Sequence, residues 1–261
     1  MATVLDIYAL STLAHANSYL GLTADAGVVD AYVETLINRA SDIIEDALHN
    51  KIMLRTHVKE RHDGKGQTKM YFNNFPVLAV NIDGLVWDAV AKTVTRSDSG
   101  GSFVKDGFAD GNEVLVQNSD ENSGLLTING VVTAFVITFD EVIVADAEDN
   151  NVIISHFRSL WIDDSEIDED DYEIFSDHIY YPGGFSTGHG NVRMTYYGGH
   201  LLVPDAVEAM CLKIIKMIYE KNQGIKSEKL GPYAVTYTDS EDDLKKGIRK
   251  ELAVYSNVVV G

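Results

Sequence analysis

A one-sided helical stripe is the strongest constraint on how this 261-residue chain folds. From about Val28 to Leu48, the apolar residues Val29, Val33, Leu36, Ile37, Ala40, Ile43, Ile44 and Ala47 recur at spacings of three and four. Asp30, Glu34, Asn38, Asp42 and Glu45 take the opposite face. A helix divided in this way must bury one side against a partner. Other helical signals stand near the two ends of the chain. Ser11 or Thr12 caps a short helix running to Tyr19-Leu20, which Gly21 ends. Pro204 sits in the first turn of another, where its missing N–H costs nothing. Val207, Met210, Cys211, Ile214, Ile215 and Ile218 form its apolar stripe. Ser240-Glu241-Asp242-Asp243 is a capping-box type start for a last helix carrying Leu244, Ile248 and Leu252 on one side.

Between these helices the pattern is that of strands. Met53 to Lys59 alternates, Asp63-Gly64-Lys65-Gly66 marks a turn, and Lys69 to Phe72 can return as the partner strand. Pro76 breaks the run; Val77–Val80 and Leu85–Trp87 then flank an Asp83-Gly84 turn. Arg96 followed by Ser97 to Ser102 reads as a small polar linker. Beyond it come short strands at 113–116, 125–128, 135–139, 142–144 and 152–155, with a hairpin turn at Asn129-Gly130. Short strands without helical periodicity predict a small β-barrel or sandwich. Residues 98–157 are therefore expected as an inserted domain, with 1–97 and 158–261 as the core. One continuous sheet is the alternative, which periodicity does not decide. Strand signals resume at Tyr172–Phe175 and Asn191–Tyr197 around the glycine-rich 182–190. The expected fold class is α+β: about four helices forming a core with antiparallel strands, plus the inserted all-β domain.

The net charge of −19 bears on partners, because so acidic a surface repels phosphate backbones and anionic lipid. The acid is uneven. Asp140 to Asp177 holds fourteen Asp or Glu and one Arg, whereas Lys213 to Lys250 has nine Lys or Arg against six acids. That asymmetry suits subunits meeting with unlike charges opposed; ordinary solubility is the plainer account. Cys211 is the only cysteine, so no intramolecular disulfide can form, which fits a reducing compartment. The first residues lack a basic, apolar signal pattern. No 18-residue apolar stretch is present, so a membrane span is not expected.

Motifs for chemistry are lacking. The acidic run Asp163 to Asp171 fails the EF-hand test, because counting from Asp164 the sixth and twelfth positions hold Glu169 and Phe175 instead of glycine and glutamate. Gly183 to Gly190 has no Lys-Ser or Lys-Thr behind it, so it is not a phosphate-binding loop. His189 has no histidine partner at ligand spacing. Cys211 lies on an apolar stripe and reads as a buried thiol. No nucleophile elbow or zinc-protease motif occurs. Catalytic residues, cofactor and metal are all expected to be absent.

The order of several short motifs resembles that of phage head–tail connector proteins, also called adaptor or head-completion proteins. The opening Leu13 to Leu22 and the helix through Ile43-Ile44-Glu45 resemble the family's start. Phe75-Pro76-Val77, Asp171-Tyr172, Pro182-Gly183, Tyr196-Tyr197-Gly198-Gly199, Pro204-Asp205 and Gly231-Pro232-Tyr233-Ala234-Val235 follow in the family's order. The likeness covers about 5–90 and 161–255. The stretch 98–157 departs from compact members; its Asp106-Gly107-Phe108 and Asn122-Ser123-Gly124 steps are similar to a β-module added to phage structural proteins. The resemblance implies a non-enzymatic virion protein, made in the host cytoplasm and placed at the neck. It implies a ring, dodecameric in the family, between the portal protein and a tail or head-closure protein. Viral DNA would pass through its lumen without specific binding, which an acidic lumen favours. Val258, Val259 and Val260 are the expected portal contact, as a strand added to a partner's sheet. The rival reading is a carbohydrate- or ligand-binding β-module, with Phe103, Phe108 or Phe135 as its platform. A hydrolase is a third class without a supporting motif.

Overall fold

The computed structural model describes residues 4–22, 28–98, 100–222, 227–230, 233–236 and 241–256, with 28, 221–222, 227–230, 233–236 and 241 described by backbone alone. The described chain is mixed α+β and divides into two compact units, 1–54 with 200–261, and 55–199.

The first unit is helical: α1 (Leu13–Leu20), α2 (Val28–Leu48), α3 (Asp205–Asn222) and α4 (Glu241–Glu251). The local signals work as read. Of the two candidate caps it is Thr12 whose side chain accepts from the His15 N–H, and Gly21 ends α1 in the left-handed region at φ 70°. The stripe of α2 buries Val33, Leu36, Ile37, Ala40, Ile44 and Ala47. It packs with Val207, Met210, Cys211, Ile214 and Ile215 of α3 and with Ile248 and Leu252, on and just beyond α4. Val29, at the start of the stripe, is exposed. Pro204 stands just before α3, and its carbonyl accepts the Val207 and Glu208 N–H groups. At the other end, Arg249 Nε donates to Ala47 O at 2.6 Å, Lys245 pairs with Asp46, and Asn50 Nδ2 donates to Tyr255 O at 3.0 Å. The expected cap Ser240 lies outside the described residues. Backbone segments 227–230 and 233–236 pair as an antiparallel hairpin.

The second unit is built of strands. Its first ten are β1 (Arg55–Gly64), β2 (Lys69–Tyr71), β3 (Ala79–Ile82), β4 (Leu85–Asp88), β5 (Thr93–Thr95), β6 (Glu113–Gln117), β7 (Gly124–Thr127), β8 (Val136–Thr138), β9 (Asp146–Asp149) and β10 (Val152–Ser155). Then come β11 (Phe157–Ile162), β12 (Ser165–Glu166), β13 (Glu173–Ile174), β14 (His178–Tyr180) and β15 (Gly188–Gly198). They form four sheets, ordered β1-β15-β11-β12, β3-β10-β6-β7, β13-β14-β2 and β8-β5-β4-β9.

Several pairings differ from those expected. β1 runs on through Asp63-Gly64 and pairs with β15, while β2 pairs with β14, so the expected hairpin between them does not form. Gly64 serves close approach, because a Cβ there would stand 1.8 Å from the Ser186 carbonyl oxygen. The turn is made at Gly66, with φ 81°. Asp83-Gly84 does turn the chain, but β3 and β4 enter different sheets. Residues 142–144 form no strand. β9 lies just beyond them, with the sequence Asp-Ala-Glu-Asp, and pairs with β4.

The division expected at 97 and 158 is not the one found. β3, β4 and β5 pair with β10, β9 and β8, so 79–95 and 98–157 share two sheets. They also share one core, in which Ile82, Leu85, Trp87 and Val94 pack with Phe103, Phe108, Val114, Val116, Ile137, Phe139 and Ile154. The expected linker is anchored. Arg96 is buried, pairs with Asp98 and Asp106 at 2.6 Å each, and lies over the Phe103 ring at 4.9 Å. Read locally, Ser and Gly look like a linker; the buried guanidinium shows a structured corner.

Candidate functional site

Two places in the second unit bring together polar residues that are far apart in the chain. The first lies where β15 ends. Val77 bridges Gly198, and the Gly199 N–H, at φ 116°, donates to the Pro76 carbonyl at 2.9 Å. Tyr196 OH donates to Glu60 Oε2 at 2.9 Å and accepts from the Asn74 N–H at 3.3 Å. Glu60 also accepts from the Asn73 N–H and lies 2.7 Å from His62 Nε2, while His57 stacks on the Tyr196 ring at 4.9 Å. Burial disfavours a charged Glu60, yet the hydrogen bonds from His62, Tyr196 and Asn73 together hold its carboxyl below the ordinary range. Burial and the adjacent Glu60 raise the Tyr196 phenol. Two of the motifs quoted above, Phe75-Pro76-Val77 and Tyr196 to Gly199, thus lock onto one another.

Gly198 makes that lock possible. A Cβ there would lie 2.4 Å from Asn74 O and 2.8 Å from Tyr196 Cε2. Gly198→Ala is expected to destabilise the unit by about 1–3 kcal/mol, the usual cost of forcing atoms into a packed site. Denaturant unfolding followed by tryptophan fluorescence measures this, and an unchanged midpoint would mean that the lock yields freely.

The second place is a cleft of about 290 Å³ lined by Arg61, Asp163, Asp164, His189, Gly190, Asn191 and Arg193. β1, β15 and the turn after β11 supply these residues. Asn191 holds the floor: its Oδ1 accepts from the Gly64 N–H at 2.9 Å, and its Nδ2 donates to Asp163 Oδ1 at 3.1 Å and Ser186 O at 2.9 Å. Hydrogen bonds from Ser186 and Asn191 lower the Asp163 carboxyl, and those from the Gly190 N–H and His189 lower Asp63. Arg193 pairs with Asp164 at 2.5 Å and lies over the Trp161 ring at 5.7 Å.

Other residues singled out in the sequence fall as follows. Val258, Val259 and Val260 lie outside the described residues. Cys211 is buried, and burial pushes its thiol up to about 12. His189 is exposed and sits 2.8 Å from Asp63 through Nδ1. The acidic run forms the β11–β12 turn, β12 and a 3-10 turn at Glu169–Asp171. Phe103 and Phe108 are core residues, and only Phe135 of the three proposed platform rings is exposed. Sequence reading missed Arg61, Asn191 and Arg193, because their grouping depends on strand register; the glycines at 188 and 190 were its one local sign. Among the described residues no helix is long and apolar enough to cross a membrane. No family model matches the chain, and no curated protein matches it.

Proposed function

We propose that this chain is a structural part of a phage neck, an adaptor that forms a ring between portal and tail and leaves a passage for DNA. The observation that carries this reading is the lock between Phe75-Pro76-Val77 and Tyr196 to Gly199. The resemblance rests on the order of short motifs, and two that lie about 120 residues apart make a single tertiary feature through the Val77–Gly198 bridge and the Gly199–Pro76 hydrogen bond. Such a joint dependence gives a physical reason for the motifs to occur together. The charge of −19 agrees with a lumen that lets phosphates slide. The rival ligand module on 98–157 has less support, since two of its three rings are in the core.

In this reading the subunits meet through heterologous contacts that close. Electron cryo-microscopy of assembled necks should show the chain as a closed ring on the portal; a two-fold dimer in the particle would overturn the proposal. The tail is tested separately. Replacing Val258, Val259 and Val260 with serine should leave unfolding unchanged and weaken portal attachment, because burying each valine is worth about 1.5 kcal/mol or more. Normal head completion by that variant would remove the tail from the proposal while leaving the ring intact.

A further inference from the structure

The exposed face of the β1-β15-β11-β12 sheet carries a row set by register: Glu166 opposite Trp161, Trp161 opposite Arg193, and Arg193 opposite Arg61. Like charges directly opposite across two strands are destabilising. Arg193 has Asp164 and the Trp161 ring. Arg61 is exposed, and its side chain has no ion pair or hydrogen bond among the described residues, in a chain whose net charge is −19. Gly190, at φ 60°, lies beside it: a Cβ there would meet the Arg61 Cδ at 3.7 Å, an ordinary van der Waals contact.

The facing wall is strained. Asp163 and Asp164 have φ of 51° and 64°, in the two-residue turn joining Ile162 to Ser165. Such mirror turns favour Asn-Gly or Asp-Gly, and two consecutive side-chain-bearing residues there carry a conformational cost. The arrangement sets Asp164, 89% exposed, against Arg193 at the cleft.

Most polar groups of the lining are already occupied. Asp163 takes Ser186 and Asn191, while the Gly190 N–H and His189 Nδ1 are taken by Asp63, which is not itself in the lining. Among the groups that remain open are the planar fork of Arg61, the second nitrogen of His189 and the outer oxygen of Asp164. A guanidinium fork matches a carboxylate in bidentate geometry. The open acceptor on Asp164 calls for a hydroxyl on the same ligand. The carboxylates nearby favour a single negative charge over a phosphate dianion. We propose that this cleft binds a small hydroxylated carboxylate of the sugar-acid class, with its carboxylate on Arg61 and its hydroxyls toward Asp164 and His189. This reading is independent of the neck role.

The test is a ¹H–¹⁵N NMR titration of the whole chain with glucuronate, glucose and inorganic phosphate in parallel at low salt. Glucuronate should shift the Gly190 and Asn191 amides and the arginine side-chain signals saturably, with affinity about tenfold or more above the other two, the discrimination expected of a charge-assisted pair. Arg61→Gln should lose that binding and leave the melting temperature unchanged or raised, because it also relieves the opposed charges. Lys69→Gln, on β2, should bind as the parent does. Equal binding of glucose, equal or tighter binding of phosphate, or no saturable shift with glucuronate would each overturn the proposal. So would full binding by Arg61→Gln, or a melting temperature in that variant lowered as far as in Gly198→Ala.

Discussion

Deleting residues 98–157 and joining Ser97 to Arg158 is expected to abolish cooperative unfolding of the 55–199 unit. The deletion removes β10, β6 and β7 from one sheet, leaving β3 without a partner. It removes β8 and β9 from another, leaving β4 and β5 as a lone hairpin, which is marginal at best in water. It also strips Trp87, Leu85 and Val94 of the Phe103, Phe139 and Ile154 side chains that bury them. Trp87 Nε1 donates to Asp149 Oδ2 at 3.0 Å, and that partner goes too. Both tryptophans of the chain, Trp87 and Trp161, lie in this unit, so near-ultraviolet circular dichroism reports on it directly. The expected spectrum of the deleted protein lacks the native tryptophan bands while helical signal from the other unit persists. A native-like band with a sharp thermal transition would show that 98–157 is dispensable, as its linker-like flank first implies.

Acid should weaken the same unit, with His156 as the main cause. Its ring is buried between the Phe108 and Tyr197 rings, and neither ring nitrogen has a hydrogen-bond partner among the described residues. Burial lowers its pKa from 6.5 to about 4. A depressed histidine pKa means that the unfolded chain takes up the proton first. Stability is therefore level above pH 6.5, falls as the pH drops toward 4, and levels again once the folded form is protonated too. The loss across that window is about 3 kcal/mol. His57, lowered by burial first and by Arg55, contributes in the same direction. Glu60, held below the ordinary carboxylate range, adds its loss at more acid pH. His156→Phe keeps a ring against Phe108 and Tyr197 and removes the titrating group. Denaturant melts at several pH values should show the slope between pH 6.5 and 4 in the parent and most of it gone in the variant. The same slope in both proteins would assign the acid response elsewhere.

The helices were legible in the sequence because their determinants are local. The α2 stripe, the Thr12 cap and Gly21 lie within a few residues of the structure they specify, and α2 has the bounds that the spacing predicts. The burial of Cys211, Ile214 and Ile215 follows from the same periodicity. Strand positions were partly legible, but their partners were not. A period of two says which residues share a face and nothing about which strand lies alongside. Gly64 carried the composition of a turn and serves a close approach to Ser186. β9 had little apolar signal because it is the outer strand of its sheet, where Ala147 and Glu148 face solvent. Apart from the glycines at 188 and 190, the cleft left no local sign in the sequence. Arg61 and Arg193 oppose each other only through the β1–β15 register, and Asp163-Asp164 joins them only because β11 lies beside β15. Periodicity and capping act within a turn or two of the chain and so determined the helices. Pairing, register and the cleft depend on contacts between distant segments, which only the tertiary structure decided.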